Sequence, residues 1–167
     1  MQPILVADDN ADDIFLFQHA AKSVRLKVPL KFVSDGEEVV QYLLGAGVFA
    51  DRTNFPLPRL VFLDNKMTFR SGLETVRWLR QEAPPSLRNL TALLLSSSLE
   101  ESDVRAAYEL GVNGYLVKPT DYTTLGEMIS CAYAFWCHHN QAPAVSVLQK
   151  CQPWQVSLQW LRKSCAT

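Results

Sequence analysis

The sequence predicts an α/β protein with five parallel strands in one sheet and helices on both faces of that sheet. Short apolar segments alternate five times with segments whose apolar residues have helical spacing. The strand candidates are apolar throughout, which is typical of strands buried on both faces. Five such units in about 140 residues fit the strand order 2-1-3-4-5 of a doubly wound, flavodoxin-like sheet.

The first two units follow directly from this pattern. Residues 3–7 form an apolar run that ends in two acids, and Asn10 can cap a helix over residues 11–24. Residues 30–33 are the second strand candidate, and a Ser-Asp-Gly turn separates them from a helix over 37–44. The residues expected on the buried face of the first helix are Ile14, Phe15, Phe17 and Ala21.

The other three units follow a long connection. Residues 45–58 contain two glycines and two prolines, which predicts a loop. A strand over 60–63 and a helix over 73–82 come next, and a Pro-Pro pair ends that helix. The remaining predicted elements are a strand at 92–95, a helix at 100–110 closed by Gly111, a strand at 114–117 and a helix at 122–137.

Composition narrows the class of protein. The chain has 167 residues, of which 48% are hydrophobic and 20% charged, with a formal net charge of -1. A dedicated nucleic-acid binder usually carries a basic excess, and no apolar run reaches the length of a membrane span, so we expect neither nucleic acid nor membrane as a partner. The start of the chain lacks the basic region of a signal peptide, and a cytoplasmic location is expected.

The four cysteines show no CxxC spacing and are interpreted as free thiols, although Cys137 precedes two histidines.

Polar side chains stand where four of the predicted strands end. The first strand is followed by Asp8 and Asp9, the third by Asp64, the fourth by Ser96 and the fifth by Lys118. The carboxyl ends of parallel strands share one edge, and ligands of doubly wound sheets bind there. Each residue also has an ordinary interpretation as a helix cap, a turn residue or a surface charge. Their joint occurrence at four strand ends favours a single site.

Three carboxylates that converge in this way repel one another unless a cation joins them. Magnesium prefers oxygen ligands and keeps open positions, so Mg²⁺, or Mn²⁺ in its place, is the expected cofactor. Asp8, Asp9 and Asp64 are the expected metal ligands, together with the backbone carbonyl of Lys66. Asp64 is central in the sheet and is the predicted nucleophile for a phosphoryl group. Lys118 and the hydroxyl of Ser96 would then contact the phosphoryl oxygens.

These residues resemble the receiver pattern of response regulators. The matching segments are residues 4–10 (ILVADDN), 61–67 (VFLDNKM) with Gly72, 93–96 (LLLS) and 114–119 (GYLVKP), and the resemblance covers residues 3–138. It implies a stand-alone regulator, not an enzyme, that acts in a two-component phosphorelay. Asp64 would accept a phosphoryl group from a sensor histidine kinase or a phosphotransfer domain, and an unidentified downstream protein would bind the phosphorylated regulator.

The resemblance also implies roles beyond the phosphoacceptor. Tyr115 matches the switch aromatic that follows Ser96 inward on phosphorylation, while Lys66 and Ser98 would tune the phosphoryl lifetime. The long 45–58 loop and the Phe135-Trp136 pair resemble single-domain regulators of phytochrome-type kinases. The chain departs from the family at Thr68, where proline is common, at Asn65, where an apolar residue is usual, and in having serine instead of threonine at 96.

Alternative functions lack the residues they require. A haloacid-dehalogenase type phosphatase needs a second aspartate two residues after its nucleophile, and Lys66 stands there. A flavin carrier needs a phosphate-cradling loop after the first strand, where Asp8 and Asp9 would repel phosphate. A degenerate receiver is disfavoured because the five functional positions are intact.

The chain is divided into a receiver over residues 1–140 and a tail over residues 141–167. Pro153 could open a short helix in the tail, with Trp154, Leu158 and Leu161 on one face. Such a helix could pack on its own domain or form a homodimer, since tryptophans often anchor interfaces. The sequence leaves both possibilities open.

Overall fold

The computed structural model describes residues 2–141, and its elements follow the predicted alternation. The tail prediction, apart from Gln141, lies outside these residues. The strands are β1 (Ile4–Ala7), β2 (Leu30–Val33), β3 (Leu60–Asp64), β4 (Thr91–Ser96) and β5 (Gly114–Val117). The helices are α1 (Ala11–Ser23), α2 (Gly36–Leu44), α3 (Gly72–Gln81), α4 (Glu101–Glu109) and α5 (Tyr122–Tyr133).

The sheet has the predicted order β2-β1-β3-β4-β5, and every neighbouring pair is parallel. Ala7 pairs with Leu63 at the carboxyl ends of β1 and β3, so the residues that follow these strands start from adjacent positions. Strands β1, β3 and β4 are buried along their whole length, which explains their uninterrupted apolar sequence. The predicted doubly wound fold is therefore confirmed.

Two apolar layers lie on opposite faces of the sheet. One layer contains Val39, Val76 and Leu79 from helices α2 and α3. The other contains Phe17 and Ile129 from helices α1 and α5, which pack against each other. Helices therefore cover both faces and leave the carboxyl edge of the sheet free for polar groups.

The predicted buried face of α1 is confirmed at Phe17 and Ala21, is only half-buried at Ile14 and is wrong at Phe15. Phe17, Ala20 and Ala21 are buried, whereas Phe15 is 70% exposed. Residues two apart on a helix point in different directions, so Phe15 and Phe17 cannot share a buried face. Phe15 instead stacks on the exposed His19 one turn later, with ring centroids 6.5 Å apart.

The predicted last helix changes geometry before its end. The α-helix ends at Tyr133, and residues Ala134–His139 continue as a π-helical segment. This segment turns Cys137 into the core, while Phe135 is 55% exposed. The wider turn rotates the following side chains away from the pattern of an α-helix.

The long 45–58 connection is an ordered extension of the core. Its Phe49 and Phe55 rings pack on Tyr42 of α2, with centroids 5.3 and 5.9 Å from that ring. The Arg52 guanidinium donates to the carbonyl oxygens of Tyr42 and Leu43 at 2.7 Å, and so closes the carboxyl end of α2. Gly45 ends the helix in the left-handed region at φ 69°, a conformation that favours glycine.

Candidate phosphoryl and metal site

Three carboxylates meet at the carboxyl edge of β1 and β3. Asp8 and Asp9 follow β1, Asp64 ends β3, and each offers an oxygen atom within 4.8 Å of the others. Asp8 and Asp64 are buried, whereas Asp9 is exposed. The geometry therefore brings together the three residues that sequence analysis predicted as metal ligands.

Lys118 reaches this cluster from the end of β5. Its ammonium nitrogen lies 2.6 Å from Asp64 Oδ1 and 2.8 Å from Asp8 Oδ2. A third contact, 2.8 Å to Asp13 Oδ2 on α1, was not predicted. Burial alone would lower the pKa of Lys118, but the contacts with the carboxylates of Asp13, Asp64 and Asp8 outweigh it and raise that pKa. The lysine is therefore held firmly in its charged form.

The carboxylate of Asp8 is stabilised less completely. Burial raises the pKa of Asp8 above its ordinary value of 3.8, even though the Lys118 ammonium and the Asn10 backbone N–H donate hydrogen bonds to it. The charge of Asp64 adds to this increase. The hydrogen bonds from Lys118 and Asn10 therefore do not fully offset the cost of burying the charge of Asp8.

These residues fit a hard divalent cation. Four carboxylates (Asp8, Asp9, Asp13 and Asp64) and two lysines (Lys66 and Lys118) line the cavity, so its ionisable side chains carry a formal net charge of −2. Hard cations such as Mg²⁺ take carboxylate oxygens as ligands and keep several waters. A divalent ion would offset this negative charge and further stabilise the buried carboxylate of Asp8.

The loop between β3 and α3 is tied to the same carboxylates by its backbone. The Lys66 N–H donates to Asp64 Oδ2 at 2.6 Å, and the Thr68 N–H donates to Asp9 Oδ2 at 2.8 Å. A side chain at Gly72 would collide with the backbone carbonyl oxygen of Asp64. Only glycine fits there, which explains why α3 can start so close to the site.

Ser96 completes the pocket from the end of β4. The site is a cavity of about 230 Å³ whose lining includes Asp64, Lys66, Ser96 and Lys118. The Ser96 side chain is buried, and its oxygen accepts the Ser98 N–H at 3.1 Å. The hydroxyl proton of Ser96 thus stays available for an acceptor in the cavity.

Tyr115 lies next to this pocket without lining it. Its hydroxyl donates to the backbone carbonyl of Ser98 at 3.0 Å. Ser98 is therefore bonded both to Ser96 and to Tyr115, and its own hydroxyl accepts the Glu100 N–H at 3.2 Å. The predicted switch pair of Ser96 and Tyr115 is connected through the loop between β4 and α4.

Sequence comparison assigns this arrangement to a family. Residues 4–130 match the response regulator receiver domain. The chain belongs to that family. The match covers all five strands and every residue of the cavity, and it shows that this receiver is of the kind phosphorylated on an aspartate in two-component signalling. Receivers of this family are generally signalling proteins.

Three relatives indicate which kind of receiver this chain resembles. Response regulator Rcp1 of Synechocystis is 30% identical over 141 residues, which is 84% of this chain and 92% of Rcp1. The structure of RPA3017, described as a response regulator in red light signaling of R. palustris, is 34% identical with a TM-score of 0.80 and covers 86% of this chain and 99% of that one. The phosphorylated cyanobacterial phytochrome response regulator RcpA is 27% identical with a TM-score of 0.74 and the same coverage. A solved form of Rcp1 holds Mn²⁺, at 30% identity and a TM-score of 0.72, and covers 86% of this chain and all of that one. The predicted likeness to phytochrome regulators is confirmed.

The cavity thus brings the predicted metal ligands and phosphoryl-binding residues together at one edge of the sheet, whereas Tyr115 and Ser98 lie outside its lining. The residues that line the cavity are Asp8, Asp9, Asp64, Lys66, Ser96 and Lys118, and Asn10, Asp13, Asn65 and Ser97 join them. Asp13 was missed, because nothing in the local sequence distinguishes it from the neighbouring Asp12 in the first turn of α1. Within residues 2–141 no helix has the length and apolar character needed to cross a membrane.

Proposed function

We propose that this receiver accepts a phosphoryl group on Asp64 and signals through the protein contacts that the modification changes. The observation that carries the proposal is the position of Asp64: its carboxylate contacts the Lys118 ammonium at 2.6 Å and lies in the cluster with Asp8 and Asp9. A nucleophile, a fixed positive charge and a set of metal ligands are the parts that phosphoryl transfer needs.

The transfer step uses few groups of the protein. An Asp64 oxygen attacks the phosphorus of a phosphohistidine, the new O–P bond forms, and the P–N bond breaks with its electron pair moving to the imidazole. Lys118 and the Ser96 hydroxyl would receive the phosphoryl oxygens. Hydrolysis removes the modification: water attacks the phosphorus, the O–P bond to Asp64 breaks, and inorganic phosphate leaves while the carboxylate is restored. Lys66 and Ser98 would tune this lifetime, and the exposed Lys66 lines the cavity directly.

Asp8, Asp9 and Asp64 would hold a divalent ion, with the backbone carbonyl of Lys66 as a fourth protein ligand. When bound, Mg²⁺ or Mn²⁺ would neutralise negative charge on the phosphoryl oxygens. The Mn²⁺-bound form of the relative Rcp1 supports this choice of cofactor. The excess negative charge of the cavity supports it independently.

The signal would leave the site through the loop that joins Ser96 to Tyr115. When a phosphoryl oxygen accepts a hydrogen bond from the Ser96 hydroxyl, the Ser96 side chain would move. Ser98 would move with it, because Ser98 is hydrogen-bonded to both Ser96 and Tyr115. The surface formed by α4, β5 and α5 would then change, and a downstream protein would read it. The loop is the bistable element in this proposal.

The proposed phosphoryl donor is a sensor histidine kinase of the phytochrome type, or a phosphotransfer domain. The support is the similarity to RPA3017 and RcpA, whose descriptions name red light and phytochrome signalling. The same proposal includes a cytoplasmic location, a role as a regulator without catalysis of its own, and assembly as a homodimer.

The test is phosphorylation with a small donor. The protein is incubated with Mg²⁺ and acetyl phosphate, and its intact mass is measured beside those of Asp64→Asn and Asp51→Asn. Asp51 is an exposed acid that does not line the cavity, so it controls for the loss of one carboxylate. We expect one phosphoryl on the wild type and on Asp51→Asn, none on Asp64→Asn, and none when a chelator is present. Beryllofluoride, a stable mimic of the phosphoryl group, separates rapid hydrolysis from an inactive site. Failure of the wild type to bind it would overturn the proposal.

A further inference from the structure

Two of the three hydrogen-bond donors of the Lys118 ammonium are already used by carboxylates. Asp8 Oδ2 and Asp13 Oδ2 each accept one hydrogen bond at 2.8 Å, while Asp64 Oδ1 forms an ion pair with the ammonium at 2.6 Å. A phosphoryl group on Asp64 would take the place of that ion pair at the remaining donor. It can accept a second hydrogen bond from Lys118 only if Asp8 or Asp13 is released.

The three carboxylates differ in what it costs to release them. The side chains of Asp8 and Asp64 are 7% and 9% exposed, whereas that of Asp13 is 40% exposed. Water can solvate Asp13 after release, while a buried carboxylate would lose its partner without replacement. Asp13 also stands outside the group of three acids that can share a metal ion. Asp13 is therefore the partner that competes with phosphoryl most directly.

We propose that Asp13 is a positioning residue that occupies one N–H donor of Lys118 and thereby limits how firmly the site retains a phosphoryl group. Lys118 keeps its orientation without Asp13, because Asp8 and Asp64 still hold it from two other strand ends. Loss of the Asp13 carboxylate would free a donor for the phosphoryl oxygen. It would also leave the positive charge of Lys118 less compensated beside the metal ligands.

The inference rests on the proposed function and predicts two effects of opposite sign. In Asp13→Asn the affinity for Mg²⁺ falls, because the cation meets less negative charge and a less compensated ammonium. The affinity for beryllofluoride at saturating Mg²⁺ rises, because Lys118 can donate one more hydrogen bond to the mimic. A residue with a merely structural role would weaken both ligands together when it is replaced.

Asp12 provides a matched control on the same helix turn. Asp12→Asn removes the same charge one residue away, and among residues 2–141 the Asp12 carboxylate forms no ion pair with a cation. Calorimetric titrations of the full chain with Mg²⁺, and then with beryllofluoride, compare the two variants. Relative to Asp12→Asn, we expect Asp13→Asn to raise the dissociation constant for Mg²⁺ and to lower that for beryllofluoride, each by about threefold or more. Asp13→Glu, which keeps the charge, should restore at least part of each shift.

A second background shows whether Asp13 acts through Lys118. In Lys118→Met the difference between Asp13→Asn and Asp12→Asn in Mg²⁺ affinity should become smaller, because only the charge of Asp13 itself remains and the part that acts through the ammonium is lost. Thermal unfolding confirms that each variant is folded. Equal shifts for Asp13→Asn and Asp12→Asn in the wild-type background, or weaker binding of both ligands to Asp13→Asn, would overturn the inference. Binding of both ligands to the wild type in the same titrations tests the proposed function separately.

Discussion

The backbone N–H of Thr68 donates a hydrogen bond to Asp9 Oδ2 at 2.8 Å, across 59 residues of sequence. The receiver family often has proline at the position of Thr68, and proline has no N–H to donate. Asp9 is exposed, and among the described residues this is the hydrogen bond that orients its carboxylate. A departure from the family pattern thus gives a metal-ligand candidate a fixed partner in the loop between β3 and α3.

Thr68→Pro should weaken Mg²⁺ binding. The substitution removes the N–H that orients Asp9, and loss of such an outer partner of a metal ligand typically costs about tenfold or more in affinity. Because Asp9 is exposed, we expect the lower end of this range, measured by calorimetry. Thr68→Ala keeps the N–H and is the control. Equal affinities of the two variants would show that the bond does not orient the ligand.

Asp8→Asn should stabilise the metal-free protein, and increasingly so as pH rises. Burial raises the pKa of Asp8 in the folded state above 3.8, so the folded state holds this proton more tightly than the unfolded state does. The resulting stability is present at low pH and is lost as pH rises through the folded-state pKa. Urea unfolding with chelator, from about pH 4 to pH 7, should show that the free energy of unfolding of the variant rises relative to that of the wild type. A difference that stays constant with pH would contradict this account.

Tyr115→Phe should loosen the loop between β4 and α4. The phenol donates to the Ser98 carbonyl at 3.0 Å, and loss of such a bond costs about 0.5–1.5 kcal/mol. Hydrogen exchange should become faster at the amides of Ser98 and Glu100, which belong to the same local network. Tyr108→Phe removes an exposed phenol on α4 and should leave exchange in this loop unchanged. Unaltered exchange in Tyr115→Phe would remove the physical link proposed between Ser96 and Tyr115.

Arg52→Ala should destabilise the fold without disabling the site. Its guanidinium bonds the carbonyls of Tyr42, Leu43 and Phe55, and their loss leaves part-buried acceptors unpaired at a cost of about 1–3 kcal/mol. Denaturant unfolding should show this loss, while phosphorylation by acetyl phosphate in the folded fraction stays normal. Arg77→Ala, at an exposed position on α3, is the control. A loss of phosphorylation in folded Arg52→Ala would mean that the 45–58 connection also shapes the site.

The sequence predicted those parts of the molecule that local pattern determines. The uniformly apolar strands and the polar residues directly after them placed Asp8, Asp64 and Lys118 at one sheet edge, because parallel strands share that edge. The contact of Asp13 with Lys118 depends on how α1 sits relative to β5, which no local pattern specifies. The bond from Thr68 to Asp9 is made by a backbone group, and any residue except proline could supply it.

Other differences have equally local causes. Phe15 is apolar but lies two residues before the buried Phe17, so composition suggested burial that helix geometry forbids. The 45–58 connection was predicted as a loop from its glycines and prolines. Its aromatic packing on Tyr42 was not predicted, because it requires the path of the chain between Gly45 and Pro58 to be known.

The ion pair between Asp8 and Lys118 joins residues 110 positions apart, and this separation has a consequence for synthesis of the protein. The ribosome delivers the chain from its N-terminus, so Asp8, Asp9 and Asp64 emerge well before β5 brings the ammonium that they surround. An unfinished or truncated chain therefore exposes the acids without the lysine that receives the phosphoryl oxygens. Such a chain would not draw phosphoryl groups away from a kinase, and competence to receive the signal would arise only with completion of the sheet.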